Sequence, residues 1–137
     1  MTLKRLKQMI TGFTYGDVSV PEDPEVMLAL LEAAYLEITN HANAMKLLTV
    51  TSSAQIIRKG PGGQWVRMPD LPADDTDELD IDYELCPAVA RLIASYISKK
   101  NKKFHFSEAK RVIYDYDSKV EHFIKTQELA GAYDDIE

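Results

Sequence analysis

Residues 83–125 read YELCPAVARLIASYISKKNKKFHFSEAKRVIYDYDSKVEHFIK, two apolar-striped helical patterns joined by the basic break Lys99-Lys100-Asn101-Lys102-Lys103. In the first half Leu85, Val89, Leu92, Ile93, Tyr96 and Ile97 recur at the spacing that places side chains on one face of a helix. In the second half Phe106, Ala109, Val112, Ile113, Tyr116, Val120, Phe123 and Ile124 repeat the pattern. Each stripe is costly to leave in water. The short connection therefore predicts an antiparallel helical hairpin on which the rest of the chain packs.

Working outward, 2–13 reads as a short amphipathic helix with Leu3, Leu6, Met9, Ile10 and Phe13 on its apolar side. Asp23-Pro24 combines an N-cap acceptor with a first-turn proline, so a helix is expected over 25–40. Its stripe is Met27, Leu30, Leu31, Ala34, Tyr35 and Ile38, and its few charges suggest a central element covered on more than one side. The period then changes. Val50, Thr51, Ile56 and Ile57, followed by the alternation of 64–68, read as strands around Gly60-Pro61-Gly62-Gly63, hence a β-hairpin inserted over 46–68. Two prolines and many carboxylates make 70–82 an acidic loop. Pro87 belongs in the first turn of the third helix, and Ser107 is an N-cap candidate for the fourth.

The expected fold is mainly α: one domain over 1–137, with a helical core over 2–42 and 83–126. About four helices are expected, and a flexible, extended C-terminal tail over 127–137. The net charge of -6 argues against a wholly nucleic-acid-binding surface. A single cysteine, Cys86, allows no internal disulfide, and no run approaches the roughly 20 apolar residues of a membrane span. Without the apolar core of a signal peptide, the chain is expected to be made and used without export.

No catalytic constellation emerges. His41, His105 and His122 fall on different expected elements, and His105 with Glu108 reads as a surface pair rather than a metal site. The carboxylates Asp74, Asp75, Asp77, Glu78, Asp80 and Asp82 lack the glycine and terminal glutamate of a helix-loop-helix calcium site. Residues 60–63 precede a strand pattern, not the helix of a phosphate-binding loop. Cys86 reads as a small buried thiol. Neither cofactor nor metal is expected, nor an enzyme.

The run Arg67-Met68-Pro69-Asp70-Leu71-Pro72, leading through Leu79-Asp80-Ile81-Asp82 into Tyr83-Glu84-Leu85-Cys86-Pro87-Ala88-Val89 and Ala94-Ser95-Tyr96, resembles the head-to-tail connector or adaptor proteins of tailed bacteriophages. A later helix with spaced tyrosines, Tyr114 and Tyr116, adds to the likeness, which covers 24–125. The resemblance implies a virion neck component made in the host cytoplasm. It implies a homo-oligomeric ring of about twelve subunits beneath the portal protein, DNA passing through its lumen and a further neck or tail protein below. Assembly contacts are then expected from the hairpin and the C-terminus, at Ile56, Ile57, Gly60, Gly62, Gly63, Trp65, Met68, Tyr133 and Ile136. Two other readings stand beside it. One is a small helical regulatory module that binds another protein. The other is a nucleic-acid-binding helical domain that uses 99–103 with Lys110 and Arg111.

Overall fold

The computed structural model describes the backbone of residues 1–41, 56–59 and 65–134, and the side chains of 1–40 and 67–119. Four α-helices dominate: α1 (Leu3–Phe13), α2 (Pro24–His41), α3 (Cys86–Ile97) and α4 (Lys102–Asp134). A 3-10 turn, Tyr83–Leu85, leads into α3. Two short strands, β1 (Ile56–Lys59) and β2 (Trp65–Arg67), pair antiparallel with Lys59 opposite Trp65 and Ile56 opposite Arg67, and the register shifts between Ile56 and Arg58. Of the insertion expected over 46–68, this ladder and the residue that follows it are what is described; 42–55 and 60–64 lie outside the described residues.

The hairpin of α3 and α4 is present, and its inner helix is the centre of the molecule. α3 touches α1, α2 and α4. Every residue of 88–95 except Arg91 is buried, so the helix is enclosed nearly all round. Alanines at 88, 90 and 94 let neighbouring helices approach the faces that Val89, Leu92 and Ile93 do not fill. The central position expected for α2 thus belongs to α3. α2 buries Met27, Leu31, Ala34, Tyr35 and Ile38 along one stripe and leaves Val26 and Leu36 exposed on another side.

Two further expectations are corrected. α4 starts at Lys102 rather than after Ser107, because Asn101 takes the position before the first turn and its carbonyl accepts from the His105 N–H at 3.0 Å. Ser98 supports the same start, its hydroxyl accepting from the Asn101 N–H at 3.1 Å. At the other end α4 continues to Asp134, so 127–134 is helix and not an extended tail. Alanines at 130 and 132 favour the helix, and the lone Gly131 between them costs only about 1 kcal/mol.

Candidate functional site

The residues expected to form an assembly surface are dispersed. Ile56 and Ile57 lie in β1, Trp65 in β2 and Tyr133 near the end of α4, all four described by backbone alone. Gly60, Gly62, Gly63 and Ile136 are outside the described residues. Met68 is half-buried against the protein's own core. Part of its surface stays exposed.

What the fold does bring together is charge, at the two ends of the helical layer. At one end the link between α3 and α4 exposes Lys99, Lys100, Lys102 and Lys103. Lys102 and Lys103 occupy the first turn of α4, where backbone N–H groups already carry partial positive charge; each cation there costs about 0.3–1 kcal/mol. No ion pair among the described residues neutralises them. Phe104 stands beside them, 57% exposed.

A buried polar cluster holds this tip in shape. Gly16, at φ 79°, turns the chain after α1 through the left-handed region and delivers Asp17 to the link. The Asp17 carboxylate accepts from the Ser98 hydroxyl and from the N–H groups of Lys99 at 3.0 Å and Lys100 at 3.3 Å. These donors, led by the Ser98 hydroxyl, hold its carboxyl below the usual carboxylate range although partial burial opposes them. Beneath the tip the Arg91 guanidinium lies 3.7 Å from the centre of the Phe13 ring and donates to His105 Nδ1 at 3.0 Å. Arginine does not give up its proton, so Nδ1 must accept and the imidazole is neutral with its proton on Nε2. Burial, then the Arg91 charge, pushes the His105 pKa below its ordinary value. His105 is therefore a core group, not a surface partner of Glu108, which accepts from Arg111 instead.

At the other end the acidic loop is folded against the start of α1. The Leu3 and Lys4 N–H groups donate to the carbonyls of Asp77 and Asp75, and the Leu79 N–H returns a bond to Met1. Glu78 meets the N-terminal ammonium at 2.6 Å and Asp75 meets Lys7 at 2.7 Å. Within the loop, Asp77 accepts from the N–H groups of Ala73 and Asp74, and Asp74 from both donors of Thr76. Asp80 closes the loop. It receives a bidentate Arg67 guanidinium at 2.6 and 2.8 Å and the Asp70 N–H at 2.8 Å, which fastens β2 to the loop. Its carboxyl is lowered chiefly by Arg67.

Between this loop, the first turns of α1 and the start of α2 lies a cleft of about 490 Å³. Leu3, Met27, Leu28 and Pro72 give it apolar walls, while Glu22, Asp74 and Asp75 outnumber Lys7 on its polar side. Cys86 is a free thiol buried within the hydrophobic core, its pKa raised by burial. Among the described residues no three His, Cys, Asp or Glu side chains gather where they could hold a metal ion. None of the helices there is long and apolar enough to cross a membrane.

The segregation of the basic run 99–103 from the acidic stretch 74–84 is legible in the sequence as opposite patches suited to a head-to-tail contact, whereas the cleft itself is not. The cleft is assembled from segments that meet only in three dimensions. No family model matches the chain, and no curated protein or solved structure matches it either.

Proposed function

We propose that this chain is a structural assembly subunit, a head-to-tail adaptor that forms a ring between a phage portal and the next neck or tail protein, with DNA passing through the lumen. The observation that carries the reading is the separation of charge. Four exposed lysines crown the link between α3 and α4, and a cleft rich in carboxylates opens where α1 begins. α1 is 11 residues long, about 16 Å, with Phe13 under the cationic tip and Leu3 at the cleft. A subunit with unlike ends makes heterologous contacts, and such contacts close into a ring when the rotation permits. The β1–β2 ladder, as part of an inserted hairpin, and the far end of α4 offer further contacts to neighbours above and below.

Quantitative mass spectrometry of purified tailed particles tests this directly. The expected result is about a dozen copies per particle, as a closed ring in the neck requires. Complete absence from particles overturns it. The same lysines favour a second reading, a nucleic-acid-binding helical domain, since they are exposed and lack ion-pair partners among the described residues. That reading requires duplex binding by the isolated chain that weakens steeply with added salt.

A further inference from the structure

The tip and the cleft are complementary to each other. Phe104 leaves more than half of its surface in water next to four cations, although the Arg91 guanidinium lies 5.5 Å from its ring centre on the inner side. Its ring rests on His105 at 5.8 Å between centres, so it stands on a support rather than swinging free. The cleft offers the converse, with apolar walls and an excess of carboxylates. A cavity of roughly 150 Å³ accepts a benzene ring. The cleft's 490 Å³ therefore takes a phenyl group with space for the aliphatic stem of a lysine beside it.

We infer that the occupant of the cleft is the tip of a second copy of this chain: Phe104 of one copy enters between Met27, Leu28 and Pro72 of the next, and Lys102 and Lys103 meet Glu22 and Asp74 at the rim. The inference rests on the assembly reading above and supplies its contact. Both members lie on rigid elements, the tip locked by Asp17 and the rim by the internal bonds of the 73–77 turn. Because they sit at opposite ends of α1, one copy cannot satisfy itself and the contact propagates head to tail.

Charge reversal in trans tests the contact. One variant, Lys102→Glu with Lys103→Glu, makes the tip acidic; another, Glu22→Lys with Ala73→Lys, makes the cleft basic. These side chains are exposed and none makes a hydrogen bond or ion pair among the described residues, so circular dichroism is expected to show both variants folded. Native mass spectrometry is expected to find the wild type associated, each variant alone dissociated, and an equal mixture reassociated in alternating order, since both kinds of contact are then restored. Phe104→Ser is expected to weaken association without changing charge. Association of the wild type that neither variant disturbs overturns the tip-in-cleft contact and leaves the ring reading standing. A wild type that stays monomeric up to its solubility limit and is absent from particles overturns both. Loss of duplex DNA binding in the tip variant, with association unchanged, overturns the contact and assigns the lysines to nucleic acid.

Discussion

Ser98 donates its hydroxyl to the carboxylate of Asp17, so the residue that ends α3 and begins the turn into α4 is tied to the loop that leaves α1. The same carboxylate holds the next two backbone N–H groups of the link. Asp17→Ala is expected to lower the melting temperature, and Asp17→Asn to recover part of the loss, because an amide oxygen still accepts. Protonation acts in the same direction. The folded-state pKa lies below the ordinary one, so this contribution is complete above the carboxylate range and disappears as pH falls through the lowered value. An Asp17→Asn variant with an acid-denaturation midpoint equal to that of the wild type would refute the assignment.

His105 titrates in a higher window. Its depressed pKa means that the unfolded chain binds a proton before the folded one does, so stability is full above the ordinary value of about 6.5 and falls as pH drops below it. The charged groups facing the ring are Arg91 on α3, which opposes a second positive charge, and Asp17, which favours it weakly. His105→Gln keeps an acceptor for Arg91 and cannot titrate. Urea unfolding at about pH 7.5 and about pH 5.5 is expected to separate the wild type more than the variant; equal separations would show that His105 is not the titrating group.

Two tyrosines predict opposite outcomes for the same substitution. The Tyr35 hydroxyl is buried with no hydrogen-bond partner among the described residues, so Tyr35→Phe is expected to be neutral or to stabilise by up to about 1 kcal/mol. The Tyr116 hydroxyl donates to Asp82, and burial together with that bond raises its pKa. Tyr116→Phe is expected to cost about 1.5–3 kcal/mol in chemical denaturation, as for the loss of a hydrogen bond to a charged acceptor. If both changes shift stability the same way, the polar assignment of one site fails.

Deletion of 60–63 is expected to leave the helical far-ultraviolet spectrum nearly intact, because α3 draws its enclosure from α1, α2 and α4. Incorporation into particles is expected to fall sharply if the ladder carries a neighbour contact. Normal incorporation of the deleted chain would remove that segment from the interface.

Much of the helical layer was legible in the sequence because it obeys a single period. Leu6 and Ile10, Leu31 and Ile38, Val89 and Ile93, and Ile113 and Tyr116 all fall where the apolar spacing puts them, and all are buried. Centrality was not legible. α2 carries the larger apolar side chains of the two, yet α3 is enclosed because small residues on its remaining faces admit neighbours, a property of pairs of helices rather than of one. The start of α4 was hidden by the lysines around Asn101, which oppose a helix start electrostatically while the backbone and Ser98 permit it. The paired charges of Arg67 and Asp80 are 13 residues apart, and nothing periodic links them.

α3 spans 12 residues and α4 spans 33, so the outer helix is about 50 Å long beside a partner of about 18 Å. Lys119 still reaches Glu84 at 3.9 Å next to the start of α3, and the helix runs 15 residues further. Over that overhang, distance and azimuth are locked together: each residue added or removed moves the far end by about 1.5 Å and swings it by about 100°. Whatever the end of α4 touches is thus addressed like the bit of a key, and a seven-residue change, close to two whole turns, is the smallest that shortens the shank while leaving the bit facing nearly the same way.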